Sequence, residues 1–255
     1  MVEHLSAAHH RRGDVRTAVV WDGLQAALDR HQAEISGRSL DVLDLGGGTG
    51  GFAVRVAIAG HHVTVVDPSP DALASLARRA DESGVSGRVR GVQGDAADLL
   101  DVVAADSVDL VLCHGVLEVV DDPAEALRGV AAVLRPGGRL SLLVAQRHAA
   151  VLARALTGHL SEAERFLVGP DSSARAGESS PRRFTDSEVT ELLDAAGCDV
   201  ETVHGVRVFV DLVPSSAVEA EPGAAETLLR LEAEVADRPE YRAVATQLHV
   251  LAGRR

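Results

Sequence analysis

Residues 42–50 read Val42-Leu43-Asp44-Leu45-Gly46-Gly47-Gly48-Thr49-Gly50, and their reading decides the fold. A short apolar run ends in three consecutive glycines, and a helical pattern begins just beyond, at Phe52-Ala53-Val54. That pattern is strand, tight turn, helix. Glycines suit the turn because it needs backbone angles that side chains forbid, and because a ligand must approach the main chain closely. Backbone N–H groups at the start of the following helix then face that ligand. About 20 residues on, His61-His62-Val63-Thr64-Val65-Val66 ends in Asp67, where an acidic residue can take the ribose hydroxyls of a nucleoside. Gly46, Gly48 and Gly51 also satisfy G-x-G-x-x-G, so this stretch alone leaves a dinucleotide open.

Working outward, strands alternate with helices. Strand one spans 41–46, a helix runs from Gly50 to Ala59, and strand two spans 62–67. Ser69 is placed to cap the next helix, with Pro70 at its first position and Gly84 beyond its end. Strand three is 88–93, ending at Gly94-Asp95-Ala96, and strand four is 108–114. Pro123 opens a helix to Leu134, and Arg135-Pro136-Gly137-Gly138 separates it from strand five, 139–145. Later come a helix from Thr185 to Ala196, an extended run over 199–213 interrupted at Gly205, a helix over 221–236 and a last strand over 247–251. Such βαβ units predict an α/β, Rossmann-like, largely parallel seven-stranded sheet with helices on both faces. Ligands of such sheets bind outside the carboxyl ends of the strands, which puts Gly46, Asp67, Ala96 and His114 on one rim.

Two flanking segments complete a single domain over 1–255. Val15, Val19, Leu24 and Leu28 predict a cap helix from Asp14 to about Ala33, within an N-terminal element spanning 1–35, and residues 1–14 read as a mobile or lightly packed arm. Residues 146–184 break the βα rhythm with a helix at 148–157 and a Gly/Ser/Pro-rich run. Six arginines there face four carboxylates, a net +2 that leaves −15 on the rest of the chain. An inserted basic segment of this kind suits a substrate cover.

The formal charge is −13, and every fixed cation is arginine, for there is no lysine. This argues against broad, non-specific nucleic-acid binding, which needs a basic face to replace counterions. No apolar run reaches 18 residues, so no membrane span is expected, and no secretory signal is visible. Cys113 and Cys198 lie in apolar runs and read as buried thiols of a reducing, cytoplasmic setting. No metal-ligand spacing appears.

Asp44-Leu45-Gly46-Gly47-Gly48-Thr49-Gly50, Asp67, Gly94-Asp95-Ala96, Asp109 to His114 and Leu134-Arg135-Pro136-Gly137-Gly138 together resemble a class I S-adenosylmethionine-dependent methyltransferase. The flanks resemble the bacterial tRNA 5-carboxymethoxyuridine methyltransferases at Arg16 to Trp21, His114 to Glu118, Gly205 to Phe209, Leu228 to Glu232 and Pro239-Glu240-Tyr241. That family esterifies a carboxylate on the wobble uridine. The resemblance implies S-adenosylmethionine as cofactor, S-adenosylhomocysteine as product and tRNA as partner. By matching position it implies that Arg16, Gly46, Gly47, Asp67, Ala96 and His114 contact the cofactor. The chain departs from the pattern at Val119 and at Val144-Ala145-Gln146, where aromatics would be expected, and scattered arginines replace a lysine run.

Roles follow from the chemistry of displacement at a sulfonium, where the protein's task is alignment. Gly46, Gly47, Gly48 and Gly50 admit the amino-acid and ribose portions of the cofactor, Asp67 takes the ribose hydroxyls, Asp95 and Ala96 border the adenine, and Asp44 and Pro68 complete the cofactor-binding set. Arg16 pairs with the methionine carboxylate, as the resemblance implies. A carboxylate acceptor is already ionised at neutral pH and needs only a cation to orient it. Arg207 is the candidate, since a guanidinium fork matches a carboxylate, although its place between Val206 and Val208 also fits an ordinary strand charge. A phenol or amine would instead need a base, for which His114 or His204 is available. A small-molecule O-methyltransferase and a non-catalytic cofactor-binding protein remain the alternatives.

Overall fold

A computed structural model of the chain describes residues 2–168 and 181–255, with backbone alone for residues 2–16, 215 and 219. The chain divides into two compact units: Met1–Leu24, Ala145–Asp186 and Val203–His249 form one, and Gln25–Val144, Ser187–Thr202 and Val250–Arg255 the other. The second is called the sheet unit here, and the first the flanking unit.

The sheet unit contains β1 (Asp41–Leu45), α2 (Gly51–Ile58), β2 (His62–Asp67), α3 (Pro70–Glu82), β3 (Val89–Gln93), α4 (Leu99–Val102), β4 (Val108–His114) and α5 (Pro123–Val133). They follow α1 (Val2–Glu34), of which only the last stretch, from Gln25 on, belongs to this unit. It also holds most of β5 (Leu134–Ala145), and parts of β6 (Cys198–Val206) and β7 (Gln247–Arg254). The seven strands order as β3-β2-β1-β4-β5-β7-β6. β3, β2, β1, β4 and β5 pair in parallel. This is the expected Rossmann-like architecture. Strand order reverses between β1 and β4, so a crevice opens at their carboxyl ends.

The inner strands are continuous apolar runs because both faces are covered: all of β4 except His114 is buried, as is β1 after Asp41. Helix starts follow the local signals. Ser69 Oγ accepts the Ala72 N–H at 3.2 Å with Pro70 at the first position of α3, and Asp122 caps α5 through the Ala124 and Glu125 N–H groups ahead of Pro123. Cys113 and Cys198 are buried free thiols, and burial pushes the Cys113 thiol well up.

Several boundaries differ from expectation. Helix α1 begins at Val2 rather than Asp14, since Leu, Ala and Arg around Gly13 favour helix and no proline interrupts it. β5 begins at Leu134: Leu134 pairs with Val108 and Arg139 with Leu110, so Arg135 to Gly138 loop out opposite Asp109 alone. The extended run after Gly205 stops at Val206 rather than Val213.

In the flanking unit, α6 (Arg147–Leu156) lies where a helix was expected, and α7 (Leu160–Val168) adds one that was not. The rest of the proposed cover, residues 169–180, lies outside the described residues. After α8 (Asp186–Ala195), which opens the sheet unit's return, the flanking unit resumes with α9 (Ser215–Ala220), α10 (Ala224–Val235) and the single turn α11 (Pro239–Arg242).

Candidate functional site

β1 delivers the chain into a sharp turn on the rim of the sheet unit. Gly46, Gly48 and Gly50 take φ values of 67, 55 and 79, the left-handed region that glycine enters without strain. The Gly46 N–H donates to the Val66 carbonyl at 2.7 Å, which ties the turn to β2, and a Cβ on Gly46 would stand 2.7 Å from Val116 Cγ2. At Gly46 the turn therefore has no room for a side chain and presents bare main chain.

Asp67 ends β2 beside that turn and is 7% exposed. Its Oδ2 accepts the Gly48 N–H and its Oδ1 the Ser69 N–H, both at 2.9 Å. Each carboxylate oxygen keeps a second acceptor position, which suits two vicinal hydroxyls. Pro68 is exposed next to it, its carbonyl accepting from Gln93 Nε2.

Asp44 lies beneath Gly47 and is 4% exposed. Burial, reinforced by the charge of Asp67, pushes its carboxyl up to about 7, against a hydrogen bond from the Ala53 backbone that acts the other way. A buried acid that has no fixed cation paired with it among the described residues suits a ligand that brings positive charge.

His114 ends β4. Its Nε2 is 2.9 Å from Ser141 Oγ, and its ring meets the edge of Phe52 with centroids 4.9 Å apart. Burial pushes it down to about 4, so the imidazole is neutral at physiological pH. At the end of β3, Asp95 Oδ1 accepts the Ala97 and Asp98 N–H groups at 2.8 and 3.3 Å, which leaves Oδ2 for a ligand. Ala96 is buried and lines a recess with Leu99, Leu100, Glu125 and Gly129.

The sheet unit thus brings Asp44, Gly46 to Gly50, Asp67, Asp95, Ala96 and His114 to the carboxyl ends of β1–β4. The side chain of Arg16 lies outside the described residues. Arg207 belongs to the flanking unit and is not on a strand: it follows β6 with φ 61, a strained value for a side chain of its size. Its Nη2 pairs with Asp211 at 2.7 Å, and its Nε is buried with no partner among the described residues. His204, in the same unit, pairs with Asp237 at 3.2 Å.

Three contributors escaped the sequence reading. Ser141 and Phe52 hold His114, and only the fold brings them to it. Glu232 is 1% exposed and accepts the N–H groups of Val208, Phe209 and Val210 at 2.9, 2.8 and 2.7 Å. It stands on the apolar stripe Leu228, Glu232, Val235 of α10, a carboxylate at helical spacing among buried residues, and that signal could have found it. Among the described residues no group of three or more His, Cys, Asp or Glu could hold a metal ion, and no helix is long and apolar enough to cross a membrane.

Comparison with known proteins identifies the family and the fold. A family model described as a methyltransferase domain matches residues 43–142. The chain is 31% identical to the tRNA 5-carboxymethoxyuridine methyltransferase of Escherichia coli K12 over 241 residues, covering 94% of this chain and 88% of that one. It is 31% identical to the ubiquinone biosynthesis O-methyltransferase of Xanthomonas axonopodis over 70% of this chain and 71% of that protein. Among solved structures, an S-adenosylmethionine-dependent methyltransferase from Mesorhizobium loti superposes with a TM-score of 0.59 at 23% identity, covering 90% of this chain and 96% of that one.

Proposed function

Because the chain belongs to the S-adenosylmethionine-dependent methyltransferases, we propose that its acceptor is a carboxylate oxygen, that of 5-carboxymethoxyuridine at the wobble position of tRNA. When bound, S-adenosylmethionine supplies an activated methyl group that a carboxylate can take without any proton transfer. The carrying observation is His114: with its pKa near 4, the imidazole of the rim is a poor base at neutral pH, so a nucleophile that arrives already ionised suits this rim best. Similarity to the Escherichia coli enzyme along almost the whole chain supports the tRNA. Such a substrate would place the enzyme in the cytoplasm.

In this reading Gly46 to Gly50 hold the amino-acid and ribose portions of the cofactor against the main chain, and Asp67 takes the ribose hydroxyls. Asp95 and Ala96 border the adenine. Asp44 compensates positive charge, and Arg16 binds the methionine carboxylate. Arg207 orients the substrate carboxylate. It is held for this by its Thr246 contacts, Thr246 N–H and Oγ1 both donating to the Arg207 carbonyl. Its Nε–H is a donor awaiting an acceptor.

A small-molecule O-methyltransferase is the second reading. The pair of His204 and Asp237 favours it, since an imidazole beside a carboxylate can take the proton of a phenol.

The test is expression in an Escherichia coli K12 strain that lacks its own tRNA 5-carboxymethoxyuridine methyltransferase, followed by mass analysis of tRNA nucleosides. The methyl ester of carboxymethoxyuridine is expected to return. Its absence, from protein that still binds S-adenosylmethionine, would retire the tRNA substrate.

A further inference from the structure

Gln146 follows the last residue of β5 and is 3% exposed. Its backbone is clamped on both sides: its N–H donates to the Thr246 carbonyl at 2.9 Å, and it forms a parallel bridge with Phe184. Its side chain is fixed as well. Nε2 donates to the Arg242 carbonyl at 2.6 Å, and because a carbonyl needs a donor, the amide cannot be turned round. Oε1 is thereby committed as an acceptor, and it is buried with no donor among the described residues. Buried acceptors are nearly always satisfied, so one left open on a rigid scaffold points to a partner that comes from outside the chain.

The surroundings say what kind of partner. Thr246, which anchors the backbone of Gln146, also donates to the carbonyl of Arg207, and Arg207 carries a buried, unmatched Nε–H. One linked part of the flanking unit therefore holds an unmatched acceptor and an unmatched donor on a guanidinium. A substrate that complements both has an N–H donor and an acceptor for the Nε–H, which a carboxylate can supply while sharing the guanidinium with Asp211. A uracil with a carboxylate substituent has these features, its N3–H being the only donor on its pairing edge.

Resting on the wobble-uridine reading above, we infer that Gln146 is a specificity-determining residue whose Oε1 accepts the N3–H of the substrate uracil while Arg207 takes its carboxylate. An acceptor held in this way welcomes a uracil and opposes a cytosine, which offers a lone pair at N3.

The test compares two single-stranded anticodon-loop RNAs, one with 5-carboxymethoxyuridine at the wobble position and one with the same base methylated at N3. Wild-type enzyme is expected to favour the N3–H RNA by roughly tenfold or more in kcat/KM, the discrimination that a missing hydrogen bond at a buried polar group brings. In Gln146→Ala that preference collapses toward unity, because the acceptor is gone and the methyl group has room, while the affinity for S-adenosylmethionine is unchanged. The carbonyl of Arg242 keeps the Ala245 N–H in this variant. A merely structural glutamine would lower both RNAs equally and leave the ratio intact, and that result overturns the inference. So does a wild-type enzyme indifferent to N3 methylation, a measurement that needs no variant to fold. If neither RNA accepts a methyl group from enzyme that binds its cofactor, the wobble-uridine reading itself falls, and this inference with it.

Discussion

Gly47 has no side chain because Asp44 occupies the place where one would go: a Cβ on Gly47 would stand 2.5 Å from Asp44 Oδ2. The φ of Gly47 is not in the left-handed region, so contact with the carboxyl, rather than backbone freedom, excludes a side chain. Gly47→Ala is expected to displace Asp44 and to cost about 1–3 kcal/mol, the usual range for overpacking a filled site. Thermal unfolding checks the cost, and titration with S-adenosylmethionine checks the expected loss of affinity. An alanine variant of unchanged stability and affinity would show that the turn has room.

With Asp44 in the proposed cofactor site, its raised carboxyl is expected to make cofactor binding depend on pH. A cationic ligand draws its pKa back toward the ordinary 3.8, so binding releases a proton below about pH 7 and not well above it. Affinity should rise about tenfold from pH 6 to pH 8 and then level, a consequence of that one proton. Calorimetry in buffers of different ionisation enthalpy reads the proton directly. Asp44→Asn should abolish the slope.

The same two rim residues pull stability in opposite directions. Asp44 has a raised folded pKa, so its contribution is complete below 3.8 and is lost as pH rises through about 7. His114 has a lowered one, so its contribution is complete above 6.5 and is lost as pH falls through about 4. Between pH 4 and 6.5 they offset one another. Relative to wild type, Asp44→Asn should make stability climb more steeply with pH in that window, and His114→Gln should make it fall. Denaturant midpoints at several pH values decide it, and parallel profiles for all three proteins would contradict both shifts.

At the other end of β1 and β4, Asp109 is 2% exposed and gathers Arg38 at 2.8 and 2.6 Å, Arg135 at 2.7 Å and the Asp41 N–H at 2.8 Å. Burial opposes its ionisation, but these donors prevail and hold its carboxyl below the ordinary range. Asp109→Asn should cost roughly 2–3 kcal/mol, less than a wholly buried pair because Arg38 is half exposed. Urea unfolding measures it. The affinity for S-adenosylmethionine should not change, since the cluster sits at the amino ends of the strands.

Arg207→Lys keeps the charge and removes the fork, so kcat/KM on the proposed RNA substrate should fall about tenfold or more while cofactor affinity holds. Glu232→Ala should act on the same property from a distance. It unties the three N–H groups that follow Arg207, so its loss of stability should accompany a rise in KM. Full activity in Arg207→Lys would remove the carboxylate role.

Most of the sheet unit was legible because its signals are local. The glycine turn, the acid closing β2, the Ser69-Pro70 and Asp122-Pro123 helix starts and the apolar strands all declare themselves within a few residues. The flanking unit was read less well. The strand pattern after Gly205 looked extended through Val213, but Glu232 captures the N–H groups of residues 208–210 and turns the chain instead. The proline and glycines at 136–138 suggested a later start to β5, whereas the strand begins before them and loops them out.

By itself, then, the sequence determined the alternation of strands and main helices through β5, the glycine turn and the acids that frame it, because backbone angles and apolar periodicity depend on neighbours along the chain. The tertiary structure decided the properties of those groups. Asp109 meets Arg38 from 71 residues away, His114 meets Ser141 from 27, and Arg207 is left-handed beside a carboxylate from α10. Burial and charge are set by whatever the fold brings alongside, so the shifts at Asp44 and His114, and the single open acceptor on Gln146, exist only once the chain is folded.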